Sequence, residues 1–132
     1  MTEPSPRSLR TPLSRVRHLG SARSGTAHFW HQRLTSVANV PLTIAVVVII
    51  MALLGRNHAA VVQILGSTFV AITMLLFVVS SVYHMWLGMQ VIIEDYVHDE
   101  LTKYISLMSN TFFSFAVGLA AVFAILKLSF GL

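Results

Sequence analysis

The sequence predicts an all-α integral membrane protein with three transmembrane helices, and three observations carry that prediction. Of its 132 residues 55% are apolar and only 11% charged, with a mean hydropathy of +0.75, a composition far from that of a soluble domain of this size. The apolar residues gather into three long runs, Val37 to Leu54, Ala59 to Ile93 and Ile105 to Phe130. Each covers a hydrocarbon layer of about 30 Å, which takes roughly 20 helical residues. No run alternates polar and apolar residues over segments of about ten, as a lipid-facing barrel requires. Helices therefore remain, because backbone groups in lipid must find partners within the chain.

Residues 1–25 read as a polar tail. Arg7, Arg10, Arg15, Arg17, Arg23 and Arg33 make six of the nine Lys and Arg residues, and all precede the first span. Under the positive-inside rule this puts the N-terminus in the cytoplasm and the C-terminus outside. The net charge of +4 and pI near 10.1 thus report orientation and contact with membrane lipids, not nucleic-acid binding. The tail has no apolar h-region, so a cleavable secretory signal is not expected. Its Arg- and Ser-rich, acid-poor character also suits an organellar transit peptide, but Pro4, Pro6 and Pro12 interrupt the amphipathic helix such peptides use.

Residues 26–132 form the anchor domain. The segment His28 to Arg33 mixes aromatic, basic and amide side chains, the composition of a bilayer interface. Span one follows over about 35–54, with Pro41 in its first turns, where a missing N–H is best tolerated. Gly55 to His58 makes an outer turn. Span two runs over about 59–93, longer than the bilayer needs, so its helix is expected to tilt or project near Glu94 and Asp95. Asp95 to Thr102 forms an inner loop and span three covers about 104–130. No internal repeat is visible.

The chain contains no Cys, which excludes disulfides, thiolate catalysis and iron–sulfur ligation within it. Chemistry therefore falls to His84, the single His within the apolar runs. At 100° per residue Ser80, Ser81, Gly88 and Val91 share its face, and Asp95 returns to within about 20° of it. Small residues beside an imidazole leave room for the edge of a flat macrocycle such as haem. The same stripe also suits a seam for helix packing with His84 hydrogen-bonded across it. If a six-coordinate haem exists, its opposite ligand must come from another subunit, since no second His lies at that depth.

Tyr96 lies twelve residues beyond His84, about 18 Å along a helix. Its phenol is able to donate to a quinone carbonyl while Asp95 orients it or relays protons; alternatively, Tyr96 is an interfacial anchor and Asp95 a solvated helix end. Arg23, His28, His31 and Arg33 at the same interface are suited either to carboxylates such as haem propionates or to lipid headgroups.

The run His84-Met85-Trp86-Leu87-Gly88-Met89-Gln90-Val91-Ile92-Ile93-Glu94-Asp95-Tyr96 resembles the signature of the D-type hydrophobic membrane anchor of succinate dehydrogenase, respiratory complex II. Gly20 to Gly25 and His28 to Thr35 also resemble the approach to the first helix in alphaproteobacterial members. The resemblance implies that His84 is an axial ligand of haem b, with Ser81 and Gly88 beside it, and that Tyr96 with Asp95 binds ubiquinone. It implies that His28 and Arg33 lie near the haem propionates, although their spacing departs by about one residue from the family pattern. The implied partners are a C-type cytochrome b subunit giving the other ligand, an iron–sulfur subunit and a flavoprotein. The implied location is the bacterial inner membrane, with the mitochondrial inner membrane as second choice.

Two rival functions stand beside this one. A fumarate reductase anchor runs the reverse reaction, and a cofactor-free structural adaptor uses His84 only for packing. A transporter fits poorly, because one intramembrane His and no broken helix pair make a weak translocation path.

Overall fold

The computed structural model describes residue 11 and residues 24–131, so most of the tail and Arg23 lie outside the described residues. Four helices follow one another: α1, Ser24–Leu53; α2, His58–Leu65; α3, Thr68–Tyr96; and α4, Glu100–Phe130. Three of them, α1, α3 and α4, are long and apolar enough to cross a membrane. The described residues contain no strand.

The sequence placed the three spans, but the structure starts them earlier at Ser24 and Glu100 and later at Thr68, and carries the middle one on to Tyr96, so the expected loop from Asp95 to Thr102 shrinks to residues 97–99. α1 begins at Ser24, so His28, His31 and Arg33 sit on the same continuous helix as the span. Pro41 consequently falls deep inside α1 and not in its first turns. Lacking an N–H, it leaves the carbonyl of Val37 without its usual intrahelical donor. Membrane helices accommodate a proline where neighbouring helices, hydroxyl side chains or small local adjustments re-satisfy the freed carbonyl.

The expected single helix over 59–93 is divided at Gly66-Ser67 into α2 and α3. Gly66 closes α2 by donating its N–H to Val62 O at 2.8 Å, and Ser67, whose N–H donates to Ile64 O at 3.2 Å, then adopts an extended conformation, φ −66° and ψ 136°. Ser67 donates its hydroxyl to Ile64 O at 2.8 Å. A Cβ at Gly66 would stand 3.0 Å from Val62 O and 3.5 Å from Leu128 O, so the missing side chain lets the break approach the end of α4. α2 caps this end of the molecule by touching α1, α3 and α4. The extra length of the middle run is thus partly folded aside at the Gly55 end. α3 keeps 29 residues, about 43 Å at 1.5 Å per residue, still longer than the hydrocarbon layer.

α3 occupies the centre, packed against α1 on one side and α4 on the other, while α1 and α4 make no close backbone approach among the described residues. The three spans therefore form a row and not a closed triangle. Few of the described side chains are buried: Val46, Ala71, Leu87 and Ile93, with the polar Asn110 and Ser114. Large apolar residues such as Val48, Phe69, Phe112 and Phe123 are exposed along the helices, a surface far too apolar for a water-soluble monomer. Close helix contact is achieved at Gly118, where a Cβ would meet Val82 Cγ1 at 3.3 Å, as expected when packing instead of water expulsion holds helices together.

The α3–α4 connection is fixed by Asp99, which caps α4. Its carboxylate accepts from Thr102 N at 2.9 Å and Thr102 Oγ1 at 2.6 Å, and these bonds hold the carboxyl below its ordinary value. A lowered carboxyl pKa stabilises the folded form above the unfolded value of about 3.9 and ceases to do so as pH falls through the folded value. Hydrogen exchange at the Thr102 amide, corrected for its intrinsic rate, should lose protection as pH drops below about 4. In Asp99→Ala the protection should be weak at every pH.

Candidate functional site

The α1–α3 contact is where the polar side chains of the first two spans meet. On α1, Gln32, Thr35 and Asn39 lie within about 60° of one another at 100° per residue, and this stripe faces Ser81, His84 and Gly88 of α3. Thr35 Oγ1 lies 2.9 Å from His84 Nδ1. The same oxygen is 2.9 Å from His31 O and 3.1 Å from Gln32 O. One turn away Ser81 Oγ donates to Asn39 Oδ1 at 3.4 Å. Ser80 Oγ and Gln32 Oε1 are buried without a hydrogen-bond partner.

His84 Nε2 has no hydrogen-bond partner among the described residues, and the half-buried ring lines an open groove of about 550 Å³ with Ser36, Asn39, Val40, Thr43 and Ile44. Three of those six residues are hydroxyl or amide side chains within an apolar span. An imidazole bonded through Nδ1, in a ring that lines a groove, fits a single-point metal ligand. No group of three His, Asp or Glu side chains converges among the described residues, so this chain offers one ligand and not a cage.

His84 lies near the middle of α3 and is level with Thr35, two residues before the apolar run of α1 begins at Val37.

Gly88 faces α1 as well: a Cβ there would contact Gln32 Nε2 at 3.4 Å. Its small size thus accommodates the Gln32 amide. His28 is half-buried and shares the packed face of Thr35, two turns away and about 20° off. Arg33 is exposed, with Cζ 4.8 Å above the Phe29 ring. It belongs to the stripe of Val40 and Ile44, within about 20°, and so lies on the side of α1 that lines the groove. His28 and Arg33 are not brought together.

Asp95 and Tyr96 end α3, both exposed, with Tyr96 at 77%. Lys103 Nζ donates to Glu94 O at 2.9 Å, tying this end of α3 to the first turn of α4. An exposed phenol offers a hydrogen-bonding group without an enclosing pocket.

A second polar row crosses the other side of α3. His31 Nδ1 meets the Tyr83 hydroxyl, the Tyr83 and Trp86 rings lie 5.7 Å apart, and Trp86 Nε1 donates to Thr111 Oγ1 at 3.1 Å. Asn110 Nδ2 donates to Trp86 O at 3.1 Å. Sequence reasoning singled out neither Thr35 and Asn39 nor Asn110 and Ser114. Each pair recurs at i, i+4 in a largely apolar helix, which was the available signal.

Residues 7–125 match the family described as succinate dehydrogenase/fumarate reductase transmembrane subunit. The chain is 29% identical to the succinate dehydrogenase hydrophobic membrane anchor subunit of Paracoccus denitrificans, covering 92% of this chain and 93% of that one. It is 28% identical to the same-named subunit of Rickettsia bellii, over 88% and 93% of the two chains. It is 30% identical to the succinate dehydrogenase membrane anchor subunit of Reclinomonas americana, over 68% and 78%. No solved structure matches the chain at a significant level.

The Gly88 contact yields a graded expectation for thermal unfolding in detergent. Gly88→Ala should change the midpoint little, because its Cβ makes an ordinary contact. Gly88→Leu must displace Gln32 and should cost about 1–3 kcal/mol, as overpacking does.

Proposed function

The chain belongs to the family of succinate dehydrogenase and fumarate reductase transmembrane subunits, and from that premise we propose that it is the hydrophobic membrane anchor of a succinate:quinone oxidoreductase, giving one axial ligand to haem b and part of a ubiquinone site. The observation that carries this reading is the state of His84, with Nδ1 engaged by Thr35 and the ring lining a groove between α1 and α3. The relatives named as succinate dehydrogenase anchors support the assignment of the complex.

A bound b haem supplies a one-electron centre. His84 would hold it through Nε2, and the second ligand would come from a C-type cytochrome b subunit packed over the groove. Ser81, one turn before the ring, holds the Asn39 amide that lines the groove. Arg33, on the groove side of α1, is placed to meet a propionate carboxylate, and His28 serves the same end from the packed face. An arginine remains charged at any physiological pH, so it neutralises a carboxylate where an aqueous partner is scarce.

Tyr96 donates its hydroxyl to a quinone carbonyl, and Asp95 beside it holds the phenol and passes protons from the aqueous side. Because Tyr96 is exposed in this chain, the walls of that pocket belong to the iron–sulfur subunit and the C-type subunit. A flavoprotein oxidises succinate and the iron–sulfur subunit brings the electrons to the quinone. The six arginines before the apolar run of α1 favour a cytoplasmic N-terminus in a bacterial inner membrane, with the Tyr96 end on the same side.

Two substitutions in the purified complex test the reading. His84→Ala should remove the b-type visible band or reduce it severely; a full band would make His84 a packing residue and put the haem ligands on other residues of the complex. Tyr96→Phe should lower quinone reduction about tenfold, the worth of one hydrogen bond of about 1.4 kcal/mol, while succinate oxidation by artificial acceptors persists. Unchanged quinone kinetics would remove Tyr96 from the site.

A further inference from the structure

Thr35 has one hydroxyl proton and three neighbours. His31 O at 2.9 Å and Gln32 O at 3.1 Å are carbonyl oxygens, which only accept. His84 Nδ1 at 2.9 Å is the third neighbour, and a neutral imidazole nitrogen is either donor or acceptor. When the hydroxyl proton goes to the helix carbonyls, Oγ1 presents its lone pairs to Nδ1. The ring then carries its proton on Nδ1, donates to Oγ1, and keeps the Nε2 lone pair free. The reverse arrangement would place the proton on Nε2, where it blocks ligation, and would forgo both carbonyl contacts.

We propose that Thr35 is a positioning residue for His84: its hydroxyl relays a hydrogen bond from the His84 ring to the backbone of α1, fixing both the tautomer and the rotation of the imidazole that faces the groove. The role rests on the reading of His84 as a haem ligand. The ring cannot turn about its own axis without breaking the Nδ1 bond, and α1 cannot slide along α3 without carrying the ring with it. Metal-bound histidines characteristically donate their second N–H to an oxygen acceptor, which raises the basicity of the ligating nitrogen. A more basic nitrogen favours the more highly charged ferric iron. Thr35 therefore lowers the reduction potential of the haem.

The test uses the whole complex purified from its native membrane, with a redox titration of the visible haem band and the haem content per complex. Thr35→Val keeps the shape and removes the hydroxyl, whereas Thr35→Ser keeps the hydroxyl. We expect Thr35→Val to shift the equilibrium towards ferrous haem about three- to tenfold, or about 30 to 60 mV at 59 mV per decade for one electron. Thr35→Ser should titrate close to the unsubstituted complex. An unchanged potential in Thr35→Val overturns the proposal, and so does an equal shift or equal haem loss in both variants, because volume rather than the hydroxyl would then be responsible. Absence of a b-type band from the unsubstituted complex would instead defeat the underlying haem assignment, so the two failures are distinct.

Discussion

A polar side chain in hydrocarbon must find its partner within the protein, and this requirement decides how the three spans are joined. In water a stray hydroxyl or amide is solvated at no cost; in lipid it forfeits several kcal/mol unless bonded. Thr35 and Asn39 of α1 answer His84 and Ser81 of α3, and Asn110 and Thr111 of α4 answer Trp86. Both sets sit on α3, so α3 is the helix that the other two must approach. Apolar contact fixes the remaining register through close fits such as Gly118 on Val82, because lipid tails compete equally for a leucine but not for an amide.

Much of this was legible in the sequence. Run length and composition suffice for three spans, because a backbone in lipid has so few choices. The His84 stripe was legible too, since helical periodicity alone puts Ser81, Gly88 and Asp95 on its face. The division at Gly66-Ser67 was not, because apolar residues continue across it and the reason for the break lies in the approach of Leu128 O from α4. Thr35 escaped notice for a related reason. It stands just outside the apolar run of its own helix, and only the stagger between α1 and α3 brings it level with His84.

The groups with chemical promise are unequal in definition. His84 has a bonded nitrogen and a groove, so its orientation belongs to this chain. Tyr96 and Arg33 are exposed, and their placement depends on what packs against them. A site residue whose geometry is internal to one chain and one whose geometry is not differ in how far a single subunit explains them.

The row of three spans leaves one flank for others to cover. A closed triangle would hide the His84 groove behind this chain's own helices, but in a row neither α3 nor α4 closes it from the outside. Whatever roofs that groove must therefore come from outside the three spans, and the polar side chains that line it, Ser36, Asn39 and Thr43, are the first groups such a cover would meet.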